Sequence, residues 1–390
     1  MRRKKFLPFA LPYITKDEIK EVVDTLKSNW LTTGPKVKEF EEKFKKYVDA
    51  KYTVAVNSAT AGLHLSLVSL NLKKESKVIT TPYTFCSTAN VVLESGLELV
   101  LADIKEDYNI NPIEIEKKID KKVKVIIPVH FGGNPCDMDE ICKLSDKNKI
   151  FIVEDAAHAF LAEYNGRKIG SIGNLTVFSF YATKNITTGE GGMVTTNNKK
   201  LKDKISILSL HGISKDAWKR YSEEGNWYYE VTHLGYKYNM MDIQAALGLA
   251  QLKKAYKLLK LRERIANIYT KEFKNIDGIK IPYTSLSSQK NKRNAFHLYV
   301  IRIDDKVLKI GRNRFIEELK KEKIGTSVHF IPIHLHPFYR KKFGFKPDDY
   351  PIATKLYQES LSLPIYPKMS DNDIYYVVEK VKQIAKKYKK

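Results

Sequence analysis

The chain has 390 residues, 43% of them hydrophobic and 29% charged, with a formal net charge of +23 at pH 7. Such a chain can bury a large core and divide into a large and a smaller domain, and its apolar runs are strand-sized, which argues against membrane insertion. The lysines are scattered along helical faces and gathered at the ends without a reading helix or an aromatic and basic module, so the sequence disfavours nucleic-acid binding.

The amino-terminal segment is basic and then apolar, as in a signal peptide, but Pro8 and Pro12 interrupt the apolar stretch. We therefore expect this segment to belong to the mature protein. Thr15 and Glu18 form a capping box, which predicts a first helix. Apolar residues at helical spacing predict amphipathic faces for this helix and for a second one, namely Ile19, Val22, Val23 and Leu26, then Val37, Phe40, Phe44, Tyr47 and Val48.

Short apolar strands then alternate with helical segments as far as residue 180. Helices are predicted to begin at Thr60, Ser87 and Met138. The predicted strands cover residues 53–57, 77–82, 98–102, 123–129, 150–154 and 176–180. Such alternation predicts an α/β fold in which helices cover both faces of a mainly parallel sheet, with the ligand site at the carboxyl ends of the strands.

The pattern changes after a long helix that begins at Asp242. Beyond it we predict strands over residues 297–303 and 326–331, a helix over 314–323 and a closing helix from Asp371. The expected division is a large domain over residues 1–255, with the amino-terminal helices, and a smaller α/β domain over 256–390, both within normal domain size.

Two residues at predicted strand ends indicate the chemistry. Asp155 ends an apolar strand, and Lys184 lies just past a later strand and just before a glycine-rich turn. Pyridoxal 5'-phosphate needs such a pair, because a lysine holds its aldehyde as an imine and an acid keeps its pyridine nitrogen protonated. A solvated lysine is almost entirely protonated at pH 7, so its surroundings must lower its pKa.

The segment from Asn57 to His64 places small hydroxyl residues where a strand ends and a helix begins. Backbone N–H groups and the helix dipole attract a phosphate there, although an ordinary Ser/Thr N-cap has the same pattern. Its position before Asp155 and Lys184 favours the phosphate site.

Phe85, after the next strand, is our choice over Tyr83 for a ring stacked on the cofactor, although aromatic residues at strand ends are more often core. His329, His334 and His336 could be taken for metal ligands, but no acid or cysteine cluster is near them in sequence, so we expect no metal site. The three cysteines form no C-x-x-C pair, which fits the cytoplasm.

These motifs together resemble the DegT/DnrJ/StrS family of pyridoxal-phosphate aminotransferases, which act on keto-sugars attached to nucleotides. The resemblance covers almost the whole chain. Within the family, the sequence looks most like the UDP-4-amino-4-deoxy-L-arabinose aminotransferase and UDP-4-keto-6-deoxysugar 4-aminotransferase branches. It rests on residues 30–35, 57–60, 154–158, 179–193, 238–248, 325–330 and 361–364. It implies the fold of aspartate aminotransferase, pyridoxal-phosphate fold type I.

Carried over position by position, the resemblance assigns roles to nine residues. Lys184 becomes the imine-forming lysine and proton shuttle, Asp155 the partner of the pyridine nitrogen, and His158 a contact near the cofactor hydroxyl. The remaining assignments are Thr60, Ala61 and Ser179 for the phosphate, Asn239 for the phosphate of a neighbouring subunit, and Trp30 and His329 for the sugar-nucleotide pocket. The active sites are therefore expected to be shared within a homodimer.

The resemblance further implies ping-pong transfer of an amino group from L-glutamate to a nucleotide-linked keto-sugar, at C4 of a UDP-linked sugar. Transfer to C3 of a dTDP-linked sugar is an alternative. A related branch that has histidine in place of the lysine performs dehydration, and Lys184 argues against that reaction here. A non-catalytic regulator that binds pyridoxal phosphate is a further hypothesis of a different class.

Overall fold

The computed structural model describes Arg3 and residues 5–213, 228–282 and 291–390. The helices in these ranges are α1 (Lys16–Lys27), α2 (Pro35–Tyr47), α3 (Ala59–Ser69), α4 (Cys86–Glu94), α5 (Pro112–Lys118), α6 (Met138–Asn148), α7 (Lys199–Leu208), α8 (Asp242–Lys253), α9 (Ala255–Phe273), α10 (Arg312–Lys321), α11 (Pro337–Phe343), α12 (Pro351–Glu359) and α13 (Asp371–Lys387). The strands are β1 (Tyr52–Val56), β2 (Lys77–Thr80), β3 (Glu98–Leu101), β4 (Val123–Ile127), β5 (Phe151–Asp155), β6 (Glu163–Tyr164), β7 (Arg167–Lys168), β8 (Leu175–Ser179), β9 (Gly192–Thr196), β10 (Ile279–Lys280), β11 (Lys292–Arg293), β12 (Tyr299–Ile303) and β13 (Ser360–Leu363).

A seven-stranded sheet in the order β1-β9-β8-β5-β4-β2-β3 forms the centre of the molecule. The neighbouring pairs among β8, β5, β4, β2 and β3 are parallel, whereas β9 pairs antiparallel with both β1 and β8. The predicted α/β fold with a mainly parallel sheet is confirmed. The parallel strands all end at one edge, so their carboxyl ends can build a common site.

Sequence reasoning did not predict β9, although each predicted strand of this sheet is present within one or two residues of its predicted bounds. β9 follows the glycine-rich turn directly, and its side chains are buried on both faces, so it shows no alternation. The predicted strand over 326–331 is wrong. Only Ser327 bridges to Ser362 there, because the chain turns aside to form part of a cavity wall with His329 and Phe330.

Alternate residues of the central strands enter two different hydrophobic clusters. Phe178 packs in the cluster that holds the apolar side chains of α2, and Val177 in the cluster that holds those of α3 and α4. Because successive side chains of a strand point to opposite faces, the sheet is covered by helices on both sides. Gly62 on α3 allows close contact, since a Cβ there would lie 2.7 Å from Val177.

A third cluster lies around the antiparallel sheet β10-β12-β13. The apolar faces of α9, α10 and α13 cover this sheet. Leu7 belongs to the same cluster, and its backbone exchanges hydrogen bonds with Lys323 and Gly325. We call this sheet and the helices that cover it the smaller unit. An amino-terminal segment therefore packs into the smaller unit, and the division of the chain at residue 255 stays a prediction.

The first helix has the predicted capping box at Thr15, but its apolar face is not its buried face. Ile19 and Leu26 are 59% and 48% exposed, whereas Glu18 is buried. Glu18 accepts hydrogen bonds from Gln251 on α8 and from Lys254. Polar contacts therefore fix α1 against α8 and leave an apolar stripe on the surface. No helix in the described ranges has the length and apolarity needed to cross a membrane.

Candidate active site

The carboxyl ends of the parallel strands surround a cavity of about 470 Å³. This volume is in the range of small-molecule sites. Of the predicted site residues, seven line the cavity, namely Thr60, Phe85, Asp155, His158, Ser179, Lys184 and His329. Residues that lie up to 269 positions apart along the chain, Thr60 and His329, therefore meet here.

One end of the cavity is the amino terminus of α3. The Ser58 hydroxyl caps this helix by accepting a hydrogen bond from the Ala61 N–H at 3.1 Å, while Ala59 and Thr60 face the cavity. The first amides of a helix have no partner within the helix, and the helix dipole is positive there. Ala61 itself is buried and does not line the cavity, so its role at the phosphate stays a prediction. This end is therefore suited to a phosphate.

Gly192 brings together the two segments predicted to bind the phosphate, the start of α3 and the end of β8. On β9 it pairs with Val56 on one side and with Ser179 on the other, so it brings the end of β8 beside the start of α3. A Cβ at Gly192 would lie 2.7 Å from the Ser58 carbonyl and 2.8 Å from the Ala59 nitrogen. Only a residue without a side chain allows this approach, which is a physical reason for the Gly191-Gly192 pair.

Lys184 enters the cavity from the turn after β8. Its backbone N–H donates to the Tyr181 carbonyl at 2.9 Å, which makes the turn tight. Burial of the amine lowers its pKa to about 8, against the attraction of Asp155, and the charge of Arg262 contributes to the lowering. At pH 7 about one amine in ten is then neutral, compared with roughly one in a few thousand for a solvated lysine.

Asp155 lies at the carboxyl end of β5 and is 5% exposed. Burial raises the pKa of its carboxyl group, and the hydrogen bonds from Thr88 and Ala157 and the charge of Lys184 oppose that rise. Thr88 Oγ1 donates to Oδ2 at 2.8 Å, and the Ala157 N–H donates to Oδ1 at 3.1 Å. The carboxylate is therefore held in one orientation inside the cavity wall.

Glu154 points to the opposite face of the sheet, as expected for the neighbour of Asp155 on a strand. Its carboxylate accepts hydrogen bonds from the Gly173 N–H, the Thr176 hydroxyl and His130 Nε2, at 2.7, 2.7 and 2.9 Å. It is fully buried. Glu154 therefore anchors the end of β5 from below and has no access to the cavity.

Three histidines stand together on the wall beside Lys184, and only two of them, His158 and His329, were predicted. The His158 ring lies 4.2 Å from the ring of His297, centroid to centroid. Burial lowers the pKa of all three imidazoles, to about 4 for His329 and well below the usual range for His158 and His297. All three rings are therefore neutral at pH 7 and can act as hydrogen-bond donors or acceptors.

Aromatic side chains form the remaining wall. Phe85 is 58% exposed and faces the cavity, whereas Tyr83 is fully buried beneath it, which supports the choice of Phe85 as the stacking ring. Phe330 lies 6.0 Å from Phe85 between ring centroids, and Phe9 lies 5.3 Å from His329. Neither Phe9 nor Phe330 was predicted as a site residue, because nothing in the local sequence of either one relates it to the ends of the central strands.

Asn239 and Trp30 do not line the cavity of their own chain. Asn239 Nδ2 donates to the Thr33 hydroxyl at 2.7 Å, and Trp30 Nε1 donates to the Thr33 carbonyl at 3.1 Å. The Trp30 indole lies so close to Gly34 that a Cβ there would overlap it. The two residues thus belong to one surface structure, and their roles in a site stay predictions.

Thr88 and His297 are two further residues of the site that the sequence did not indicate. Thr88 is three residues after Phe85 on α4, and its hydroxyl also lies 2.9 Å from that of Thr84. A helix that begins at a strand end with two hydroxyls one turn apart could have indicated it. His297 enters from the start of β12, and nothing in its local sequence relates it to Lys184.

The donor groups fit pyridoxal phosphate. The α3 terminus suits its phosphate, the buried carboxylate of Asp155 suits a pyridinium nitrogen, and Lys184 supplies an amine that is partly neutral at pH 7. Among the described residues no three His, Cys, Asp or Glu side chains are grouped so as to hold a metal ion. The arrangement can bind an aldehyde and move protons beside it.

Residues 12–382 match the model of the DegT/DnrJ/EryC1/StrS aminotransferase family. The sequence is 51% identical over 387 residues to the spore coat polysaccharide biosynthesis protein SpsC of Bacillus subtilis, covering 99% of this chain and 98% of that protein.

Two solved structures resemble the whole molecule. The putative sugar aminotransferase Spr1654 from Streptococcus pneumoniae in its PLP-form has 36% sequence identity and a TM-score of 0.90, covering 98% of this chain and 99% of that one. Helicobacter pylori PseC, an aminotransferase involved in the biosynthesis of pseudoaminic acid, has 31% identity and a TM-score of 0.92, covering 99% and 100%.

Proposed function

We propose, since this chain belongs to the DegT/DnrJ/EryC1/StrS aminotransferase family, that it transfers the amino group of L-glutamate to the ketone carbon of a nucleotide-linked sugar. The protein is an aminotransferase that uses pyridoxal phosphate. The observation that supports this reaction most directly is the placement of Lys184, Asp155 and the α3 terminus around one cavity.

When bound, pyridoxal phosphate supplies an electron-withdrawing ring that stabilises negative charge on the carbon beside the transferred nitrogen. The N–H groups at the start of α3, with Thr60 and Ser179, would hold its phosphate. Asp155 would keep the ring nitrogen protonated, and Phe85 would shield the ring from water. His158 has Nδ1 occupied by the Gly132 N–H at 3.3 Å, so its Nε2 carries the proton and donates toward the ring substituents.

Lys184 would hold the aldehyde of the cofactor, and its free amine would act as the base. With a pKa of about 8, its amine could accept the proton from the α-carbon of the donor, and its ammonium could return a proton to the cofactor carbon on the other side of the transferred nitrogen. In the reaction with the keto-sugar, Lys184 moves the protons in the opposite direction. The two substrates use one set of residues in turn, so the kinetics should be ping-pong.

The relatives support a sugar as the amino acceptor. SpsC takes part in spore coat polysaccharide biosynthesis and PseC in the biosynthesis of pseudoaminic acid. We favour C4 of a UDP-linked keto-sugar, with C3 of a dTDP-linked sugar as the alternative. The cysteines are free, which fits our proposal that the enzyme works in the cytoplasm.

The proposal includes a homodimer with shared active sites. Asn239 and Trp30 lie outside the cavity of their own chain and both bond to Thr33, and α1, which ends three residues before Trp30, exposes an apolar stripe. Large apolar side chains on a surface are typical of an interface. In the dimer, Asn239 reaches the phosphate bound by the partner and Trp30 contributes to its sugar pocket.

The deciding experiment offers the loaded enzyme L-glutamate and then UDP- and dTDP-linked 3-keto and 4-keto sugars, one at a time. Glutamate should change the visible absorbance, and the correct keto-sugar should restore it with formation of an amino sugar detected by mass spectrometry. If glutamate changes the absorbance and no sugar restores it, the acceptor is wrong. If glutamate leaves it unchanged, the donor is wrong.

A pair of lysine variants tests the mechanism. Lys184→Ala should abolish turnover, and borohydride followed by peptide mapping should place the cofactor on Lys184 in the unchanged enzyme. Lys204→Ala is the matched control, because burial also lowers the pKa of Lys204 but its amine donates to the Ser69 carbonyl, away from the cavity. A loaded protein that never turns over any amino donor would instead support a pyridoxal-phosphate-binding regulator.

A further inference from the structure

His297 connects the smaller unit to the catalytic lysine. It is 6% exposed and stands just before β12, whereas Lys184 lies on the turn after β8. The residue after the lysine, Asn185, contacts residues just before β12. Its Nδ2 donates to the Ala295 carbonyl at 2.8 Å, and its Oδ1 lies 3.1 Å from His297 Nδ1.

The direction of this last hydrogen bond follows from the network. Because the Asn185 NH₂ group is used by Ala295, the oxygen is the end that faces His297 and it must accept. His297 Nδ1 therefore carries the proton. The imidazole is neutral at pH 7, since burial and the nearby Lys184, His158 and Arg262 all lower its pKa.

The same histidine also supports His158. The two rings lie 4.2 Å apart at 33°. The His297 N–H donates to the Gly132 carbonyl at 3.0 Å, and the Gly132 N–H donates to His158 Nδ1 at 3.3 Å. One residue thus fixes the position of His158 through its ring and the tautomer of His158 through its backbone.

His297 is itself held in place. Arg262 Nη1 donates to its carbonyl at 3.3 Å and to that of Ile365 at 2.7 Å, and the guanidinium is buried with no carboxylate partner among the described residues. Phe296 has φ +47°, a left-handed conformation that costs free energy for a bulky residue. Its N–H donates to the Asn294 side chain at 2.6 Å.

We propose that His297 is a positioning residue, which holds the Lys184 turn through Asn185 and holds His158 by ring contact and the Gly132 peptide. This inference rests on the proposed function and deepens it. The imidazole borders the cavity, but its Nδ1 proton is directed to Asn185 and its ring lies against His158, so we assign it to positioning these two residues.

Three variants separate the two contacts. His297→Phe keeps a ring against His158 but removes the donor, and His297→Asn keeps an N–H near the Nδ1 position but removes the ring. Asn185→Ala removes the acceptor. We expect His297→Phe and Asn185→Ala each to lower kcat on the order of 10- to 100-fold, as for small misplacements of a reacting group, with a smaller change in KM. His297→Asn should lower kcat less than His297→Phe.

The double variant Asn185→Ala/His297→Phe should be no worse than either single variant, because both remove one hydrogen bond. His334→Phe is the control for a general loss of stability. His334 is also buried, its Nε2 bonds to the Thr354 hydroxyl at 2.9 Å, and it does not line the cavity. It should lower the melting temperature and leave kcat unchanged.

A second measurement needs neither substrate nor cofactor. The rate of reductive methylation of Lys184 in the cofactor-free protein, followed by peptide mapping across pH, gives the apparent pKa of its amine. We expect about 8 in the unchanged protein and a higher pKa in His297→Phe and Asn185→Ala, because a displaced amine is better solvated.

Failure of this inference and failure of the proposed function give different results. Two results together would show that His297 is merely structural. The first is that the pKa of Lys184 is the same in the variants as in the unchanged protein. The second is that kcat of the variants stays within about twofold of the unchanged enzyme, or that the losses of the two single variants add up in the double variant. Absence of any amino-group transfer by the unchanged protein would refute the function, while the methylation experiment would still decide the role of His297.

Discussion

Replacement of Lys184 by methionine should make the cofactor-free protein more stable at pH 7. The pKa of this amine falls from 10.5 to about 8 on folding. At about 1.4 kcal/mol for each pH unit, holding the protonated amine in the cavity costs about 3 kcal/mol. The pKa of about 8 already includes the attraction to Asp155. Methionine fills similar space without a charge, so we expect a gain of about 2 to 3 kcal/mol.

The pH dependence has a definite sign. Between pH 8 and 10.5 the unfolded chain binds a proton at this lysine that the folded protein has released, so the stability of the unchanged protein rises with pH across this window. The cost is complete below pH 8 and absent above pH 10.5. The advantage of Lys184→Met should therefore be largest at pH 7 and should disappear as the pH approaches 10.5.

Urea unfolding at fixed protein concentration, at pH 7, 9 and 10.5, measures the difference. Lys254→Met is the matched control, because Lys254 gains ion pairs with Glu18 at 2.8 Å and Asp17 at 3.1 Å, which raise its pKa against the effect of burial. The same substitution should destabilise the protein there. A Lys184→Met protein that is less stable at pH 7, or equally favoured at pH 7 and 10.5, would refute the reasoning.

Three further predictions concern the site. Asp155→Asn should lower kcat on the order of 100- to 1000-fold, the usual effect of losing a preorganised electrostatic group; steady-state kinetics checks this, and a rate within tenfold of the unchanged enzyme would contradict it. Gly192→Ala should weaken cofactor binding in equilibrium dialysis, because its Cβ would lie 2.7 Å from Ser58, whereas Gly311→Ala, with no atom within 4 Å of the added Cβ, should bind normally. Phe85→Ala should weaken cofactor binding about 2- to 12-fold, equivalent to one aromatic contact. Fluorescence titration measures the affinity, and an unchanged value would contradict the stacking role.

The apolar patterns predicted the central sheet because each parallel strand is a short, continuous apolar run between helical segments. The end of such a run also placed Asp155 and the start of α3 at the same edge. Lys184 could be placed near them for the same reason. The local sequence is therefore sufficient to predict the part of the site that lies at the strand ends.

Other features depend on contacts between distant segments. β9 shows no alternation because both of its faces are buried, and it has its place only because β1 and β8 pair with it. The first helix has an apolar stripe that predicts burial, yet Glu18 occupies the buried face through Gln251 and Lys254. A periodic pattern gives a face and cannot give the partner that covers it.

The sequence by itself determined the fold class, the cofactor chemistry and the lysine and aspartate proposed to carry it, because strand ends and residue types are local properties. Tertiary structure alone decided the state of these groups. Burial lowers the pKa of Lys184, Thr88 orients Asp155, and His297 arrives from the other unit. Desolvation and hydrogen bonding depend on what surrounds a group in space, and those neighbours are far apart along the chain.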